Sequence, residues 1–67
     1  MKELHAQSQA LVLTVTLHTP ITIKELTART GVTQLTVRAV LPRLVAKEYI
    51  DRDGDTLTPG VNAPEPA

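Results

Sequence analysis

The side chains best suited to chemistry lie between Thr33 and Lys47, where Arg38, Arg43 and Lys47 occur with no acid among them. Gln34 and Thr36 open the same stretch. A guanidinium presents a planar fork of N–H groups that fits the paired acceptors of a guanine edge or a phosphate. A glutamine amide carries the donor and acceptor that fit adenine, and a lysine ammonium is a point charge suited to phosphate. Nothing comparable supports catalysis. The chain has one serine, no cysteine and no glycine-rich phosphate loop. His5 and Ser8 would share a helix face, but no third orienting group or oxyanion donor accompanies them. His5 and His18 are too far apart in sequence for a paired ligand motif. Asp51, Asp53 and Asp55 have the one-three-five spacing of a calcium loop, yet the glycine is misplaced and the twelfth position is Asn62 where a glutamate is needed. The expectation is no enzyme, no metal and no cofactor.

The elements that must position these residues are marked by local signals. Thr22 and Glu25 form a T-x-x-E capping box, with Ile21 and Leu26 placed as a hydrophobic staple. Gly31 supplies a left-handed residue to close that helix after Thr30. Thr33 caps the next helix, over about 33–47, whose inner face is Val37, Val40, Leu41 and Leu44. Pro42 lies inside this pattern and removes one bond to the Arg38 carbonyl, so one bent helix is expected. Tyr49 to Thr58 reads as a hairpin turning at Asp53-Gly54 and stopped by Pro59 and Gly60. Upstream, about Lys2 to His18 reads as a helix. Leu4, Leu11, Val12 and Val15 form its main face, with Ala10, Leu13 and Leu17 widening it, although Leu11, Leu13, Val15 and Leu17 also alternate as a strand would. Thr19-Pro20 ends it.

Composition bounds the rest. Sixty-seven residues form one small domain. Tyr49 is the single aromatic, so the core is aliphatic. Formal charge is zero, but between Thr22 and Arg52 six cations face three acids, with Asp53, Asp55 and Glu65 beyond. The longest apolar run, Ala10 to Leu17, is far below the roughly 20 residues of a membrane span, and Glu3 spoils a signal-peptide start. A soluble, cytoplasmic domain over residues 1–59 is expected, with a disordered tail over 60–67.

Helix, helix, turn, helix and two-stranded hairpin is the order of a winged helix-turn-helix. Gly31-Val32-Thr33 and Thr36-Val37 resemble the turn and recognition-helix start of bacterial transcription regulators of that family. Val40-Leu41, Leu44 and Lys47, then Tyr49-Ile50 and the Asp53-Gly54 wing tip, continue the likeness, which spans roughly Leu11 to Thr58. The fold implied is mainly α with a small β-hairpin: three helices plus a two-stranded wing. Two positions depart from the pattern. Glu48 stands where glycine is common, and a glutamate in the left-handed conformation there would carry roughly 1 kcal/mol of strain unless the helix ends differently. The wing is also acidic, which leaves Arg52 as its single phosphate candidate.

The resemblance implies sequence-specific binding of duplex DNA by a small transcriptional regulator, with the helix at about 33–47 in the major groove. Gln34, Leu35, Thr36, Arg38 and Ala39 would face the bases: Gln34 toward adenine, Arg38 toward guanine, Leu35 or Ala39 toward a thymine methyl. Thr22, Lys24, Arg29, Arg43, Lys47 and Arg52 would meet phosphates. A homodimer is expected through the first helix, where Leu11, Leu13, Val15 and Leu17 exceed the needs of one core face. The alternative is an interaction or assembly module that binds protein and no nucleic acid. The outward centre of the same helix, Leu35, Ala39, Pro42 and Ala46, is apolar and would suit such a partner.

Overall fold

The computed structural model describes residues 4–64. Its elements are α1 (Ala6–Leu17), β1 (Ile21–Thr22), α2 (Ile23–Thr30), α3 (Gln34–Ala46), β2 (Ile50–Asp53) and β3 (Thr56–Pro59). The strands form a three-stranded antiparallel sheet in the order β1-β3-β2. This is the winged arrangement expected, with one addition: β1 pairs Ile21 with Leu57 and Thr22 with Thr56. A two-residue strand has no periodicity to read, and only its partner makes it one.

The core is wholly aliphatic. Leu11, Val12 and Val15 from α1, Ile21, Ile23 and Leu26 from β1 and α2, Val37, Leu41 and Leu44 from α3, and Ile50 and Leu57 from the wing are all almost fully buried. Each contributes about 1.5–3 kcal/mol by leaving water. This interlocking set closes a core in a chain that has no cysteine and so no disulfide.

α1 begins later than the expected start near Lys2. His5 is extended and caps without a side-chain bond, while Leu4 turns inward and is buried. Gln9 holds this entry, its side-chain amide donating to the Leu4 carbonyl at 3.0 Å and its backbone amide to the His5 carbonyl at 2.9 Å. Residues 1–3 lie outside the described residues. The β-branched threonines do not break α1, because each hydroxyl back-bonds within it: Thr14 to Ala10 and Thr16 to Val12.

α2 and α3 start as their caps dictate. The Thr22 hydroxyl accepts the Glu25 amide at 3.1 Å, and the Thr33 hydroxyl accepts the Thr36 amide at 3.3 Å. The return half of the capping box, from the Thr22 amide to the Glu25 carboxylate, is not formed among the described residues. Gly31, at φ 76°, closes α2 by donating to the Thr27 carbonyl. α3 runs unbroken through Pro42. The ring is exposed, so the lost bond leaves the Arg38 carbonyl on the solvent side.

The end of α3 holds two findings. Glu48 does take the left-handed conformation, at φ 63°. The Tyr49 amide donates to Leu44 and the Glu48 amide to Val45, which is the bonding of a Schellman motif. Tyr49 packs against the core beside it. Secondly, Gly60 and Asn62 bond to residues just after α3, while 65–67, the end of the tail expected to be disordered, lie outside the described residues. The Gly60 amide extends the hairpin by donating to Tyr49, and Asn62 donates from its backbone to Glu48 at 2.9 Å and from its side chain to Lys47 at 3.2 Å. The tail thereby satisfies carbonyls that the helix end leaves open. Gly60 is required by this closeness, since a Cβ there would overlap the Glu48 carbonyl.

The wing turn is displaced by one residue from the expected Asp53-Gly54. Asp53 pairs with Thr56, so the turn residues are Gly54 and Asp55. Gly54 has φ 63° while Asp55 is not left-handed, as in a type II′ turn, which takes glycine first.

These features predict opposite effects of glycine at two neighbouring sites. Glu48→Gly is expected to raise unfolding free energy by about 0.5–1 kcal/mol, as left-handed strain is removed. Gly60→Ala is expected to lower it by about 1–3 kcal/mol through overpacking. Urea denaturation of the two variants against the parent measures both.

Candidate nucleic-acid interface

Helix α3 has two unlike sides because its apolar residues recur at helical spacing. Val37, Leu41 and Leu44 are fully buried and Val40 partly so, which fixes the rotation of the helix about its axis. The opposite side then presents Gln34, Leu35, Arg38, Ala39, Pro42, Arg43, Ala46 and Lys47, all exposed. Leu35 is 82% exposed. Leu35, Ala39, Pro42 and Ala46 make an apolar ridge along the middle. Gln34 and Arg38 flank it on one side; Thr36, Arg43 and Lys47 flank it on the other.

Thr36 is half-buried, and its hydroxyl accepts a bond from the Thr33 hydroxyl at 3.0 Å. Thr33 therefore receives the Thr36 amide and donates to the Thr36 side chain, a closed loop at the first turn of α3. Thr36 retains its own hydroxyl proton for a further acceptor.

The expected phosphate contacts are spread over four elements, β1 with Thr22, α2, α3 and β2. Lys24 and Arg29 are exposed on α2, Arg43 in the last turn of α3 and Lys47 at its C-cap, and Arg52 on β2. Arg29 and Arg43 also sit in the last turns of their helices, where a cation complements the helix dipole whatever else it does. The Thr22 hydroxyl is occupied as acceptor by the α2 cap. Arg52 is turned onto its own wing: its Nε donates to the Gly54 carbonyl at 2.8 Å. Arg38 is not free either. Its Nη2 lies 3.8 Å from Oδ1 of Asp55 across the wing turn. Helical spacing gives no sign of this pair, because its members are brought together only when β3 folds back on β2.

One helix presented outward, seated after a capped turn and flanked by a β-hairpin, is the arrangement of a winged helix-turn-helix. The sequence pattern of the MarR family matches residues 4–56. The chain belongs to the MarR family. No curated protein and no solved structure gives a match. MarR-family proteins are winged helix-turn-helix transcription regulators, not enzymes; they bind DNA and typically dimerise. No helix among the described residues of this MarR-family chain is long and apolar enough to cross a membrane.

On α1 the expected dimer surface needs correction. Leu11 and Val15 are fully buried and unavailable to any partner, whereas Leu13 is 44% and Leu17 63% exposed. With Ala6 and Ala10, also exposed, Leu13 and Leu17 form one apolar strip at 4-3-4 spacing. The strand-like alternation of Leu11, Leu13, Val15 and Leu17 is thus split between core and surface by the helical turn.

The two sides of α3 should respond differently to mutation. Thr33→Ala removes the cap and is expected to cost about 1 kcal/mol. Leu35→Ala, in the same turn, is expected to stay within about 0.5 kcal/mol of the parent. Thermal unfolding followed by circular dichroism distinguishes the two.

Proposed function

We propose that this MarR-family domain binds duplex DNA sequence-specifically as a homodimeric regulator acting in the cytoplasm, with α3 in the major groove. The observation that carries the reading is the exposed side of α3, where Gln34, Arg38, Arg43 and Lys47 point outward from a helix locked by Val37, Leu41 and Leu44. In this reading the first turns of α3 enter the groove, so Gln34, Leu35, Thr36, Arg38 and Ala39 face base edges. The apolar Leu35 and Ala39 suit thymine methyls, and the flanking Gln34 and Arg38 suit adenine and guanine. Arg43 and Lys47 leave the groove toward phosphate, joined by Thr22, Lys24 and Arg29 from the α2 side. Arg52 is the wing's contribution.

Two copies would meet through the strip of Ala6, Ala10, Leu13 and Leu17. It carries no charge, so a second copy of the same strip faces it without an unpaired ion.

Titration into labelled duplex DNA tests the binding. Affinity is expected to fall steeply with salt, and Arg43→Ala to weaken binding to every sequence and flatten that dependence by about one unit of slope. Arg38→Ala should relax preference at one base position by about 1–3 kcal/mol. Absence of binding at low salt overturns the reading; the apolar ridge would then be a protein-docking surface, and Leu35→Asp would abolish that contact with the fold intact.

Sedimentation tests the dimer. The parent chain is expected to associate at high micromolar concentration and Leu13→Asp to remain monomeric. A monomeric parent removes the dimer from the proposal.

A further inference from the structure

The wing presents Asp51, Asp53 and Asp55 around one arginine, an unfavourable charge for a surface that approaches phosphates. One of these acids is placed differently from the others. The Asp55 carbonyl accepts the Ile23 amide at 2.9 Å, at the start of α2. The preceding carbonyl, of Gly54, accepts Arg52 Nε at 2.8 Å, and the following residue, Thr56, pairs with both Thr22 and Asp53. The backbone at Asp55 is therefore fastened on both sides. From this anchored point its carboxylate reaches Arg38, the only cation in the first half of α3, at 3.8 Å.

The geometry decides which role such a carboxylate can have. An acid that orients an arginine for base reading binds it through short, usually paired hydrogen bonds of about 2.7–2.9 Å. Here the separation is 3.8 Å, and the side chains are 50% and 69% exposed. The contact is a loose, water-screened ion pair that does not fix the guanidinium plane. It still places a negative charge beside Arg38. That charge is tethered, so unlike a mobile counterion it cannot be released into bulk solvent when DNA binds. Once Arg38 turns to a base or phosphate, the carboxylate stays behind, facing a polyanion.

We propose that Asp55 is an intramolecular competitor for Arg38 and limits the affinity of this domain for duplex DNA. The inference rests on the DNA reading of α3. Asp51 and Asp53 carry the same charge on the same wing without holding Arg38, so they lower affinity only through general repulsion.

The test uses the full chain and a labelled duplex of mixed sequence, about two helical turns long, at low salt of roughly 50 mM. Asp55→Asn keeps the backbone bond to Ile23, and asparagine is accepted in turns, so the fold is retained; a melting curve checks this. Asp55→Asn is expected to tighten binding about threefold to fivefold, the scale of an exposed ion pair. Asp51→Asn, which removes the same charge, should produce a smaller gain. In an Arg38→Ala background the benefit of Asp55→Asn should shrink to that of Asp51→Asn. Unchanged or weaker binding by Asp55→Asn, or a gain equal to that of Asp51→Asn, overturns the inference and leaves the DNA reading standing. If neither the parent nor any variant binds, both fall. Binding by Asp55→Asn alone supports both.

Discussion

The structure depends on burying one side of α3. Val37, Leu41 and Leu44 are fully enclosed by α1, α2 and the wing, and these contacts fix the rotation of the helix. With a core of Leu, Val and Ile, shape must come from the close packing of aliphatic side chains. A helix held in this way cannot turn without exposing leucine. The outward placement of Gln34, Arg38, Arg43 and Lys47 thus follows from packing on the other side, and stability and presentation come from the same contacts.

Both ends of that helix are closed by backbone chemistry. At the start, the Thr33 hydroxyl serves the Thr36 amide and hydroxyl together. At the finish, the strain of left-handed Glu48 is tolerated because Leu44 and Val45 gain hydrogen bonds and Asn62 covers the next carbonyls. This joint also sets where β2 departs, and therefore where the wing stands beside α3. The contact between Arg38 and Asp55 is a consequence, joining the part of α3 proposed to read bases to a wing that is acidic.

The surface charges belong to a chain of zero net charge. Cations are concentrated on α2 and α3, acids on the wing. The local balance, not the total, bears on a polyanionic partner, since screening confines each charge's reach to about 10 Å at ordinary ionic strength. An acidic wing next to a basic helix moderates the field that α3 presents.

Much of this was legible in the residues alone, and the reason is locality. The threonine caps, Gly31 and the 3.6-residue spacing of Val37, Leu41 and Leu44 act within one or two turns of chain, so α2, α3 and the outward side of α3 could be read directly. Gly54 announced the hairpin, though its register differed by one because strand pairing chooses which two residues lie at the tip. Only the tertiary structure decided the rest. β1 exists because Leu57 comes alongside Ile21. Gly60 and Asn62 looked like tail until the end of α3 arrived beside them, and Asp55 meets Arg38 only across the finished wing. Each is a contact between segments distant in sequence, which no local pattern encodes.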